Sequence, residues 1–189
     1  MTVRGSRVAA GTASLASLAL LACTAALAFT ATGCGPKTPE PLVGVSDKPG
    51  GAFPDRPVSY AFDSLDERPV SSAAERGKPT VLAFITTGDI VGQAQVDYLV
   101  AMAKNDGAKV NYALVALHPR KEIVLVEAYI SALKVEFPVA LGDPSVMTPQ
   151  GPFGEIAAVP TVVVLDREGR IAWKHTGLAK PDELRGHMR

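Results

Sequence analysis

The densest reactive chemistry in the chain lies in Thr86-Thr87-Gly88-Asp89, two hydroxyls and a carboxylate around a glycine. A hydroxyl becomes a nucleophile only beside a general base, and no Gly-x-Ser-x-Gly or equivalent pattern accompanies this stretch. Asp89 has two readings. Its carboxylate can act as a general base or accept a hydrogen bond from an extended peptide; as a helix N-cap it simply accepts a free amide of the turn that follows. Capping is the stronger expectation, because Asp is among the best residues for it. His118, His175 and His187 lie far apart, without metal-ligand spacing, so no metal site is expected, and His118, at the end of a strand, is expected to face solvent. There is no glycine-rich phosphate loop, and no cofactor is expected. The only cysteines are Cys23 and Cys34, both near the N-terminus. Thiol-disulfide exchange needs an attacking thiolate and a resolving thiol, and the rest of the chain supplies neither.

The elements that must position these groups follow from periodicity. Val81 to Thr86 is a short apolar run with β-branched members, which reads as a central strand. Thr87 to Asp89 makes a turn, and Val96, Leu99, Val100 and Ala103 then fall on one stripe of a helix that Lys104 and Asn105 to Gly107 close. Val110 to Leu117 reads as a second strand buried on both faces, the pattern of a parallel neighbour. Ile123, Val126, Ile130 and Leu133 mark another helix, Phe137 to Leu141 a short strand, and Gly142 to Gly154 an irregular, proline-rich stretch. Strand, turn at Asp166 to Gly169, and strand come next, with Pro160 at the start of the first, where a missing N–H is tolerated. Pro181 to Met188 closes the chain as a helix with proline at its first position. Upstream, Tyr60 to Asp63 and Arg68 to Ser71 read as an N-terminal β-hairpin, followed by a helical turn at Ser72 to Arg76. Trp173 and the tyrosines are expected to pack in the core or on edges.

On these residues the chain resembles thioredoxin-like proteins of the membrane-tethered TlpA/ResA type, whose active-site segment reads roughly F-W-A-x-W-C-x-x-C-R. Phe84 matches the strand Phe, Gly88 the Trp, and Asp89 and Gly92 the two cysteines. The Val159-Pro160-Thr161 run, with Leu165-Asp166, Gly169 and Ile171 after it, is similar to the family's V-P-T segment, whose proline is cis and faces the active-site turn. The resemblance covers roughly Tyr60 to Met188. It implies an α/β thioredoxin-like fold, a central mixed β-sheet flanked by helices with an N-terminal β-hairpin, and a groove formed by Thr87, Gly88, Asp89, Ile90, Val91, Gly92, Val159, Pro160 and Thr161.

The remaining expectations concern class and place. At 189 residues, 47% hydrophobic and 20% charged, the chain has room for one core, and a net charge of zero with a pI near 6.8 gives no reason to expect nucleic acid. Residues 1–33, with Arg4 and Arg7 followed by an uncharged stretch from Val8 to Gly33, read as an export signal or membrane anchor. Cys34, after Ala31-Thr32-Gly33, resembles a bacterial lipoprotein processing site. Cys34 lipidation and an uncleaved N-terminal helix both remain open, and either would attach the domain to the membrane of a bacterial cell envelope, facing the periplasm or exterior. Residues 34–57 form a Pro- and Gly-rich tether and residues 58–189 the domain. The function expected is a tethered, redox-inactive domain that binds a protein or small ligand beside Pro160. An accessory role in a thiol-disulfide or peroxide-detoxifying system, and a structural lipoprotein with an idle groove, are the alternatives. An exposed apolar patch around Ile90, Val91 and Pro160 would favour binding.

Overall fold

A computed structural model describes residues 53–188. The leader, Cys34 and most of the tether lie outside the described residues. In chain order the elements are β1 (Asp63–Ser64), β2 (Thr80–Ile85), α1 (Ile90–Asp106), β3 (Asn111–Ala116), α2 (Ile123–Leu133), β4 (Val139–Leu141), β5 (Thr161–Leu165), β6 (Ile171–Thr176) and α3 (Pro181–His187). They build one mixed sheet in the order β1-β4-β3-β2-β5-β6.

The strands at the centre are the ones with continuous apolar runs. Every residue of β2 and β5 is buried, which the chain can afford only because β2 is hydrogen-bonded on both sides and covered on both faces. β2 runs parallel to β3, from Thr80 opposite Asn111 to Ile85 opposite Ala116. It runs antiparallel to β5, from Thr80 opposite Leu165 to Phe84 opposite Thr161. One sheet face, through Val81, Ala83 and Ile85, packs on Val96, Leu99 and Met102 of α1, Val126 of α2 and Leu184 of α3. Among the described residues the other face carries no α-helix. Leu82, Phe84, Val115 and Val163 there pack beneath Tyr60, Val70, Phe153 and Ile156, so irregular chain does the covering. The expected mixed sheet with flanking helices is thus the fold found, with its helices gathered on one face.

The N-terminal hairpin is narrower than its sequence reads. Ala61 bridges Ser71, and the Phe62 and Ser72 amides donate to Val70 and Tyr60 carbonyls, but beyond this bridge the first arm leaves to pair with β4, Asp63 lying opposite Leu141. At the other side of the sheet the Val58 amide donates to the Gly169 carbonyl in the β5–β6 turn, and Asp55 lies 3.5 Å from the Arg170 guanidinium. Because β5 is antiparallel to β2, this turn sits at the opposite end of the sheet from Thr87. Among the described residues no helix is long and apolar enough to cross a membrane.

Candidate functional site

The turn after β2 is built around its own cap. Asp89, in extended conformation, accepts from the Val91 amide at 3.1 Å and the Gly92 amide at 2.9 Å, satisfying two of the free donors of the first turn of α1. The capping reading therefore holds. A Cβ on Gly92 would meet the Asp89 Oδ2 atom at 3.1 Å, tighter than ordinary contact. Glycine at 92 and aspartate at 89 thus belong together: the carboxylate takes up the space and the amide that a side chain at 92 would press on. Replacing Asp89 with Ala should lower stability by about 1 kcal/mol, read as a fall in the urea midpoint at unchanged m; an unaltered midpoint would mean that the cap contributes nothing.

The expectation that His118 faces solvent is corrected. Its side chain is 11% exposed and reaches the turn after β2, because the parallel register that sets Ile85 beside Ala116 also sets Thr87, two residues on, beside His118. The Thr87 amide donates to His118 Nε2 at 3.0 Å, and the Thr87 hydroxyl lies 3.2 Å from the same nitrogen. An amide can only donate, so Nε2 is an acceptor and the imidazole proton sits on Nδ1, which donates to Glu122 Oε2 at 2.9 Å. Thr87, His118 and Glu122 form a hydroxyl, imidazole and carboxylate in series. Sequence reasoning missed this relay because its base lies on another strand; the usable signal was a histidine just past the end of the parallel neighbour.

The other groove residues divide by access. Gly88, Ile90 and Val91 are exposed, Thr87, Asp89 and Val159 partly so, and Gly92, Pro160 and Thr161 buried. The Val159–Pro160 peptide bond is cis. Around it, Thr161 Oγ1 donates to the Ala158 carbonyl at 2.6 Å, and the Gly177 amide donates to the Pro160 carbonyl at 2.7 Å. The apolar surface expected around Ile90, Val91 and Pro160 is present at Ile90, 83% exposed, and Val91, 44% exposed, while Pro160 is buried. Val124 and Leu125, in the first turn of α2, are exposed as well, at 71% and 51%. Both helices start at the end of the sheet where β2 and β3 finish, the end that also holds Thr87 and His118.

Gln95 Oε1 accepts from the Ala179 amide at 2.7 Å, tying α1 to the approach to α3, while its Nε2 and the Tyr129 hydroxyl have no hydrogen-bond partner among the described residues. Those residues hold no cluster of three or more metal-ligating side chains. A cavity of about 440 Å³ lies at the other end of the sheet, between Glu75, Asn111, Val100 and Phe137, away from Thr87.

No protein-family model and no curated protein sequence matches the chain. Solved structures do. A DsbF homologue from Corynebacterium diphtheriae is 19% identical with a TM-score of 0.61, over 71% of this chain and 88% of that one. A thiol:disulfide interchange protein of the thioredoxin family from Chlorobium tepidum is 19% identical with a TM-score of 0.61, over 74% of this chain and 100% of that one. StoA from Bacillus subtilis is 20% identical with a TM-score of 0.56, over 72% and 100%. The likeness is one of fold: the chain adopts the thioredoxin-like fold that these thiol:disulfide oxidoreductases share.

Proposed function

We propose that this protein is an extracytoplasmic, thioredoxin-fold binding domain that holds an extended polypeptide at the apolar rim of Ile90 and Val91, without thiol chemistry of its own. The observation that carries this reading is the pairing of that exposed rim with a turn whose cysteine positions are filled by a capping aspartate and a buried glycine. With no thiolate between residues 35 and 189, a disulfide has nothing to attack it. The leader and Cys34 support attachment to the envelope membrane. Residues 55–58 pack at the sheet end opposite Thr87. An accessory part in thiol-disulfide metabolism is the second reading, favoured by the fold neighbours alone.

A photo-crosslinking residue at Ile90 in intact cells tests the binding reading, with exposed Lys109, at the opposite end of the sheet, as the control position. A discrete adduct from position 90 and none from 109 is expected, and its mass identifies the partner. Equal labelling from both positions, or none from 90, would remove the support for a polypeptide site. The purified protein is also expected to reduce a disulfide substrate no faster than a protein-free control; turnover above that control would overturn the redox-inactive reading.

A further inference from the structure

We propose that Thr87, His118 and Glu122 form a hydrolytic site for small carboxylic esters with an apolar acyl group. Three features meet at one end of the sheet. The hydroxyl of Thr87 lies 3.2 Å from His118 Nε2, and Nδ1 of the same ring donates to Glu122 at 2.9 Å, so the imidazole is held in the tautomer whose unprotonated nitrogen faces the hydroxyl and the Thr87 amide. The imidazole is shielded, with 11% of its side chain exposed, while Thr87 keeps partial access to solvent. The first turns of α1 and α2 place the exposed apolar side chains of Ile90, Val91, Val124 and Leu125 at the same end of the sheet, available to an acyl chain. The amides of Gly88 and Asp89, in the turn beside the hydroxyl, have no acceptor among the described residues and are the donors available to an oxyanion.

The chemistry closes with water alone as co-reactant. Thr87 Oγ1 attacks the ester carbonyl carbon as its proton passes to His118 Nε2, and the alcohol leaves with that proton. Water then attacks the threonyl ester, giving up a proton to Nε2 that returns to Oγ1 as the carboxylic acid departs. Thr87 is the catalytic nucleophile and His118 the base; Glu122 is a positioning residue. Because the Thr87 amide also donates to Nε2, at 3.0 Å, the hydroxyl shares the lone pair it needs, which slows the first step by about tenfold relative to an unshared base. Ester hydrolysis at Thr87 does not require that a polypeptide bind at Ile90, so either can fail alone.

The test uses the full chain in detergent with 4-nitrophenyl butyrate as probe and a fluorophosphonate as label. Thr87→Ala removes the hydroxyl but keeps the amide bond to Nε2, so the turn should stay folded, as circular dichroism will show. Expected are hydrolysis that falls about 100-fold or more in Thr87→Ala and survives in Thr87→Ser, and a fluorophosphonate adduct mapped by mass to Thr87. Glu122→Gln should lower kcat about tenfold with KM unchanged and alter the pH profile, which a merely structural role would not do. Equal hydrolysis by the wild type and Thr87→Ala, or the absence of any adduct at Thr87, would overturn the proposal.

Discussion

Phe153→Ala should destabilise the domain by about 3–5 kcal/mol, a loss more typical of a central strand than of a segment without regular structure. Residues 142–157 contain little more than a single 3-10 turn at Pro144–Met147, yet Phe153 is 1% exposed and stands over the sheet face that has no helix. Its ring centroid lies 5.2 Å from that of Tyr60 and 5.3 Å from that of Phe84, with Phe62 at 6.3 Å, so truncation would open a cavity bounded by three other aromatics. The backbone around it is tied down and has little freedom to collapse into that space. Lys174 Nζ donates to the Phe153 carbonyl at 3.1 Å and also to that of Glu155. A Cβ on Gly151 would lie 2.8 Å from the Val146 carbonyl oxygen, so the loop is already packed against itself. Against a total stability of roughly 5–15 kcal/mol for a domain of this kind, the loss removes about a fifth or more. Urea unfolding measures it, with Met147→Ala, 41% exposed in the same segment, expected within about 0.5 kcal/mol of the wild type. If Phe153→Ala costs less than about 1 kcal/mol, the segment is a cover that the sheet can do without.

That segment also marks where sequence reading loses its grip. Residues 142–154 were legible as irregular, from their prolines, but burial in an aperiodic stretch has no period to betray it, and nothing singled out Phe153. The strands and helices were legible for the opposite reason. β2 and β3 announce themselves by unbroken apolar runs that only a position covered on both faces accommodates, and α1 by one apolar stripe between a capping Asp89 and a closing Gly107. The candidate site was legible in its turn and not in its base. Thr87 and His118 are 31 residues apart, and what joins them is the register between two strands, which side-chain alternation does not encode when both faces are buried. The pairing of Asp89 with Gly92 was visible as two residue types at family positions, while the steric reason for it needed the cap geometry. The exposed apolar pair on α2 escaped for a related reason: the stripe of Ile123, Val126, Ile130 and Leu133 accounts for the buried side of that helix and leaves Val124 and Leu125 unexplained.

Wild-type stability should fall by about 3 kcal/mol between mildly acid and mildly alkaline solution, and Glu75→Gln should abolish that fall. Glu75 sits in the turn before β2, 8% exposed, with its Oε2 accepting from the Tyr60 hydroxyl. Its backbone carbonyl accepts from Asn111 Nδ2 at 2.7 Å and from Thr80 Oγ1 at 3.3 Å, so the main chain that carries the carboxyl is fixed to the start of β2 and β3. Burial pushes the carboxyl up from 4.5 to about 7, with the Tyr60 bond pulling the other way. The same burial, reinforced by the Glu75 charge, raises the Tyr60 phenol, which therefore stays protonated and available as donor. The sign follows from which state holds the proton. Below 4.5 the carboxyl is protonated both folded and unfolded, and the full stability is present. Between 4.5 and about 7 the unfolded chain releases its proton while the folded one retains it, so stability falls with rising pH, by about 1.4 kcal/mol for each pH unit between the two values. Above about 7 both states are ionised and the loss is complete. Glutamine keeps the shape without a charge to bury, so Glu75→Gln should roughly match the wild type near pH 4 and exceed it by about 3 kcal/mol near pH 8. Taking the difference between the two proteins at each pH cancels the other carboxylates. Asp66, for example, is held low by the Arg68 guanidinium and loses its own contribution only as the solution turns more acid. A difference between wild type and Glu75→Gln that stays flat across this range would show that Glu75 reaches water in the folded state, and that the turn before β2 is open where its hydrogen bonds say it is closed.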